Sequence, residues 1–338
     1  MEATMLRIPF DDVLARLAAI LGNLGFTPDR ARACARLFAE TTRDGVYSHG
    51  VNRFPRFVST IRNGSVDPAA EPSCLSALGA LERWDGRLGP GNLNAQTCMD
   101  RAIALARAHG IACIALGNTN HWMRGGSYGW QAADAGFIAL CWTNTMPNLP
   151  PWGAINPVIG NNPLVLAVPR PAGHFVLDMA MSQFSYGALE NYRRLGQPLP
   201  VPGGYDSAGQ LTSDPAAIEA SQRPLPIGYW KGSGLSILLD AIAAVLALGN
   251  ATHRLSTDPL RESATSQTFI AIHPAALGDA ARQSQIADEI AASIHAATPA
   301  DPAVPGRYPG EKTLRLRAEN LAHGLPIDES TWSTISEM

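Results

Sequence analysis

Apolar residues recur at helical spacing from the start of the chain. Val13, Leu14, Leu17, Ile20, Leu21 and Leu24 form one stripe that stops at Gly25. Thr27-Pro28 then reads as an N-cap followed by proline at the first helical position, where a missing N–H costs nothing. The helix it opens runs through Leu37 and Phe38 to about Thr42. Asp44 to Gly50 reads as a turn. A third helix turns Phe54, Phe57, Val58 and Ile61 inward and ends at Asn63-Gly64. Beyond this point helices alternate with strands. A helix over about 94–109 ends at Gly110, a strand covers 111–116, and a polar loop covers 117–121. A helix ending at Gly136 and a strand over 137–143 follow. Strand, helix, strand in this order predicts an α/β layer structure. Further strands are predicted over 164–168, 175–179 and 269–272. Further helices are predicted near 183–195, 234–248, 284–297 and 313–323. The pattern places a mainly helical subdomain at the two chain ends (1–70 with 280–338) and an α/β domain between them (71–279).

Composition adds bounds. The 338 residues are 46% hydrophobic, enough to bury two subdomains' worth of core. The net charge is −3 with 16% charged residues, so no basic excess exists to neutralise a nucleic acid backbone. The first residues lack the basic start, apolar stretch and cleavage site of a signal peptide. The longest apolar run, 235–248, falls short of the ~20 residues that span a bilayer, so it reads as a buried core helix. Cys34, Cys74, Cys98, Cys113 and Cys141 are odd in number and have no metal-like spacing. Reduced thiols in the cytoplasm, with no metal and no membrane, are the expectation.

Two segments carry candidate chemistry. In Ser48-His49-Gly50-Val51-Asn52-Arg53, Ser48 reads as the N-cap of the third helix, with His49 in its first turn and Arg53 one turn on along the same face. Reduction of a 2-keto acid needs such a pair: histidine to protonate the carbonyl oxygen, and a guanidinium to hold the carboxylate through two parallel hydrogen bonds. A capping serine beside a surface histidine and a solvated arginine fits the same spacing. The second segment, Gly117 to Gly126, follows a strand and precedes a helix, where α/β proteins place ligands. Asn120 and His121 offer it polar groups, although an ordinary polar loop would look alike. Asp178 to Ser182, Trp230 to Gly234 and Pro309 to Lys312 offer backbone amides or a lysine to a dinucleotide, or are plain turns. No Gly-x-Gly-x-x-Gly follows a strand and opens a helix, so the residues alone do not suggest NAD.

The string from Gly45 to Phe57, Gly-Val-Tyr-Ser-His-Gly-Val-Asn-Arg-Phe-Pro-Arg-Phe, resembles the signature of the type-2 malate/L-lactate dehydrogenase family. The segment from Asn120 to Ala133 is similar to a sugar-acid reductase branch of that family. So are Cys141 to Asn144, Pro150 to Gly153, Phe184 to Gly187 and Gly228 to Gly234. The resemblance covers about residues 10–335. It implies a homodimer with a non-Rossmann, mixed-sheet cofactor domain. It implies NADH-dependent reduction of a sugar-derived 2-keto acid, with His49 as proton donor. Ser48, Arg53, Asn120, His121 and Thr143 would bind substrate. His174, Phe175, Val176, Leu177, Asp178, Met179 and Ala180 would hold NAD, together with Trp230, Lys231, Gly310, Glu311 and Lys312. NADPH, another 2-keto acid, a cyclic imino acid and a non-catalytic sugar-acid binder stand as alternatives. Trp122, Tyr128, Trp142 and Trp152 are candidates for an apolar wall at the reacting carbon, or plain core aromatics. One departure is Gly160-Asn161-Asn162-Pro163, where the family has Gly-Thr-Asn-Pro.

Overall fold

The computed structural model describes residues 5–338. The reading of no leader segment rests partly on residues 1–4, which lie outside them. The chain opens with β1 (Met5–Ile8), α1 (Phe10–Asn23), α2 (Pro28–Arg43) and α3 (Phe54–Arg62). Thr27 occupies the N-cap of α2 with extended dihedrals and Pro28 follows at the first position, but the Thr27 hydroxyl makes no cap bond. The apolar stripes of the three helices meet in one core, centred on Leu17, Phe38, Phe54 and Phe57. Leu325, Ile327 and Ile335 from the far end of the chain complete it.

A seven-stranded mixed sheet follows. It is built from β2 (Ser73–Leu78), β3 (Leu81–Asp85), β4 (Ile111–Thr119), β5 (Ile138–Thr143), β6 (Leu164–Val168), β7 (Phe175–Met179) and β10 (Thr265–Ile272). Its order is β2-β3-β4-β10-β5-β6-β7, and only β3 and β4 run parallel among the described residues. β10 arrives late in the chain and wedges between β4 and β5. Alternation along the strands feeds two layers. Phe269 and Ala271 face a core under α4 (Gly91–His109) and α5 (Gly126–Asp134), while Ile270 and Trp142 face the opposite side. The β2–β3 hairpin was not legible in the sequence. β2 is mostly exposed, so no alternation marks it.

A small α/β insert holds α6 (Tyr186–Arg194), β8 (Gly204–Tyr205), β9 (Leu211–Thr212) and α7 (Pro215–Ser221). α8 (Trp230–Ala247) then covers the second sheet face, packing on β10, β4 and β5. It begins four residues earlier than expected, so Trp230 and Lys231 form its first turn. It is not the buried core helix that its composition suggests. Leu238 and Val245 are 59% and 69% exposed, on a face the other described residues leave bare. By length and hydropathy alone α8 could cross a membrane, but its other face is committed to the sheet. The chain closes with α9 (Ala280–His295), α10 (Glu311–His323), β11 (Leu325–Asp328) and α11 (Glu329–Ser336). β11 pairs antiparallel with β1, tying the two ends together. α9 is tied instead to the β6–β7 connection, through Arg170 and Asp288 at 2.6 Å.

Candidate active site

Ser48, His49 and Arg53 do not open an α-helix. Two 3₁₀ turns, Tyr47–His49 and Val51–Arg53, precede α3, which begins at Phe54. Ser48 is therefore no N-cap; Arg53 holds that position. The cause is close packing on α2. A Cβ at Gly50 would overlap the Thr42 hydroxyl, and Thr42 Oγ1 accepts the Val51 N–H at 2.8 Å. The chain must kink there, and His49 is turned out of the helical line. Ser48 Oγ lies 2.9 Å from His49 Nδ1.

His121 reaches the same place from the end of β4. Its ring stacks on His49 with centroids 5.9 Å apart and planes within 21°. His121 Nδ1 accepts the Met123 N–H at 3.0 Å, so in the neutral ring the proton sits on Nε2. Met123 pays for this with φ +64°, a conformation costing of order 1–3 kcal/mol. Asn120 is clamped: Nδ2 donates to Leu88 O and Gly89 O, and Gln267 Nε2 donates to Asn120 O. Its Oδ1 is buried without a partner among the described residues.

Arg53, Arg56, Asn120, His121 and Glu262 line one small, partly open cavity. Among the described residues Arg53 makes no side-chain hydrogen bond or ion pair, whereas Arg56 donates to Pro259 O. Burial, with the neighbouring Arg56 charge, lowers the Arg53 guanidinium to about 10 despite Glu262. Burial and the charges of Arg53, Arg56 and Arg124 push His49 down to about 4. Burial, Arg53, His49 and Arg56 hold His121 well below the ordinary histidine range. Both histidines are neutral near pH 7 in the free protein.

A buried carboxylate fixes this cluster from behind. Asp44, 3% exposed, ends α2 and accepts from Arg43, Arg124 and Arg317 at 2.7–2.9 Å. It joins α2, the loop after β4 and α10. Burial alone would raise its carboxyl, but the three guanidiniums hold it at about 2.

Thr143 is not brought to the cavity. Its hydroxyl is spent on Asn144 O at 2.8 Å, inside the β5–β10 ladder. Nor do the four aromatics form a wall. Trp122 and Tyr128 are core residues, and Trp142 donates to Leu239 O beneath α8. Trp152 stands at the surface against Tyr229, centroids 5.3 Å apart. Sequence reasoning missed Glu262, Arg56 as a cavity residue, and the Asp44 hub. Arg56 lies inside the signature string, so its signal was present; Glu262 carries none.

The expected cofactor segments meet along β7, the edge strand of the sheet. At one end Val176 N–H donates to Pro309 O at 2.9 Å. Gly310 lies at φ +98°, where a Cβ would press on His174 O and Val176 N. Glu311 and Lys312 follow in the first turn of α10. At the other end, past Met179 and Ala180, Ile227 N–H donates to Met181 O, just before Trp230 and Lys231 open α8. An edge strand flanked by two helix N-termini fits a dinucleotide whose phosphates need N–H donors. Not every residue faces it. Val176 is buried in the core, and His174 is held by Arg170 N–H and Asp134. Asp178 caps α5 by accepting the Gly126 N–H at 2.7 Å, whereas Lys231 and Lys312 are exposed.

A mixed sheet with an edge strand of this kind, beside a cavity lined by His121 and an open guanidinium, with His49 stacked on His121, defines a class of non-Rossmann oxidoreductase. The malate/L-lactate dehydrogenase family matches residues 8–336, and the chain belongs to that family. It is an oxidoreductase acting on the CH–OH/C=O pair, and its family implies a nicotinamide cofactor. It is 47% identical over 333 residues to 2,3-diketo-L-gulonate reductase from Salmonella heidelberg (strain SL476), covering 98% of this chain and 100% of that one. Among solved structures it is similar to sulfolactate dehydrogenase from Methanocaldococcus jannaschii, with TM-score 0.91 and 25% identity over 98% of this chain and 96% of that one. It is also similar to delta1-piperideine-2-carboxylate reductase from Pseudomonas syringae pvar. tomato, with TM-score 0.86 and 28% identity over 98% of this chain and 99% of that one.

Proposed function

We propose that this protein reduces a sugar-derived 2-keto acid with NADH, and that 2,3-diketo-L-gulonate, reduced to 3-keto-L-gulonate, is its substrate. The observation that carries the reading is the Arg53 guanidinium, half-buried in the cavity wall with no partner among the described residues. Buried charges are otherwise paired, and a carboxylate is the group a planar fork of donors fits. The nicotinamide, when bound, supplies the hydride. The rest falls to the chain. Arg53 holds the carboxylate, His121 Nε2–H steadies the adjacent carbonyl, and His49 gives the carbonyl oxygen its proton. A carboxylate on Arg53 offsets the cations that keep His49 neutral, so substrate raises the His49 pKa toward the range a general acid needs.

NADH preference is supported by Glu311, whose carboxylate beside the cofactor edge would oppose the 2′-phosphate of NADPH. The bare apolar face of α8 supports a homodimer, and the free thiols agree with a cytoplasmic location. Loss of NADH absorbance with a panel of 2-keto acids and one cyclic imino acid tests the reading. Turnover should be fastest with 2,3-diketo-L-gulonate and at least tenfold less efficient with NADPH, roughly 1.4 kcal/mol. Preference for the imino acid, or for NADPH, overturns the corresponding part.

A further inference from the structure

The outer wall of the cavity is the segment 255–264, between α8 and β10. It has little regular structure, yet it is tied down. Arg56 donates to Pro259 O, Asn63 Nδ2 to Leu260 O at 2.8 Å, and Ser263 Oγ to Ser65 O at 3.2 Å. These bonds hold Glu262 in the cavity wall with 8% of its surface exposed. One carboxylate oxygen accepts the Met146 N–H at 3.1 Å. No other hydrogen bond or ion pair reaches Glu262 from the described residues. The cavity thus holds two guanidiniums and a carboxylate that do not close on one another, beside the unpartnered Oδ1 of Asn120. Its donors and acceptors are both left open.

We propose that Glu262, with Asn120 Oδ1, accepts the hydroxyl hydrogens of the substrate's tail and so restricts the enzyme to polyhydroxylated 2-keto acids. This rests on the reading of the cavity as the keto-acid site. Each hydroxyl is both donor and acceptor, so a polyol tail satisfies Glu262 and Arg56 together. A dicarboxylic keto acid would set a second negative charge against Glu262. A short apolar keto acid or a cyclic imino acid would leave Glu262 desolvated and unpaired. Sites built to hydrogen-bond a hydroxyl reject analogues lacking it far more strongly than apolar pockets reject a missing methylene.

The test uses purified enzyme at saturating NADH with 2,3-diketo-L-gulonate, pyruvate and oxaloacetate, comparing wild type with Glu262→Gln. Glutamine can still accept the Met146 N–H, so the segment keeps its anchor. The ratio of kcat/KM for 2,3-diketo-L-gulonate over pyruvate should fall about tenfold or more, as for loss of one charged hydrogen bond. The ratio for oxaloacetate over pyruvate should rise. Unchanged ratios, or an equal fall with all three acids and a lowered melting temperature, overturn the proposal. Wild type that reduces pyruvate or oxaloacetate as efficiently as 2,3-diketo-L-gulonate also overturns it, with no variant needed. Wild type that reduces none of the three refutes the keto-acid reading, and this proposal with it.

Discussion

At His49 the surroundings oppose the charge that a proton donor must carry. Burial and three nearby guanidiniums hold its titration near 4, while Arg53, one of the three, is left open to an anion. The two residues should therefore fail in different ways. His49→Ala should cut turnover by about 10² or more, as for a lost general acid. Arg53→Lys keeps the charge but loses the planar fork, so it should raise the keto-acid KM about tenfold or more, for roughly 1.5–3 kcal/mol of charged hydrogen bonding. NADH affinity, read by fluorescence titration, should hold in both. Near-normal turnover in the first variant removes His49 from the reaction. An unaltered KM in the second, with a large drop in melting temperature, makes Arg53 a structural residue. His49 and Arg53 were legible as a pair because they lie close in sequence. Their geometry was not, because Gly50 packs on Thr42 and replaces a helical turn with two 3₁₀ turns.

Helices and strands carried their own evidence unequally. α1 and α2 show clean apolar stripes because one face is buried and the other wet. α8 is apolar nearly all round, so its pattern could not tell a buried helix from one that buries its second face outside the chain. The structure shows one side on the sheet and Leu238 and Val245 bare. If a second copy covers this face, Leu238→Glu with Val245→Glu sets charges into the interface at several kcal/mol each side. Sedimentation should then show a dimer for wild type and a folded monomer for the double variant. A monomeric wild type removes the homodimer.

Across the whole molecule, Asp44 joins three distant stretches through Arg43, Arg124 and Arg317. Asp44→Asn leaves those guanidiniums around a neutral amide and should cost about 3–5 kcal/mol in urea unfolding at neutral pH. The pH dependence follows from the lowered carboxyl. Its stabilisation is fully present above the unfolded value near ~3.9 and is lost as pH falls through about 2. Wild type should therefore lose stability more steeply than the variant across that window. Equal slopes would show that the hub does not govern acid unfolding. By itself the sequence determined the long helices, most central strands and the signature that places the chain in its family, because periodicity, caps and motifs are local. Only the tertiary structure decided that β10 enters between β4 and β5, that Thr143 turns into the ladder, and that Glu262 faces Arg53. Those outcomes depend on which surfaces pack across more than 100 residues of chain, and side-chain charge gathered by packing leaves no period to read.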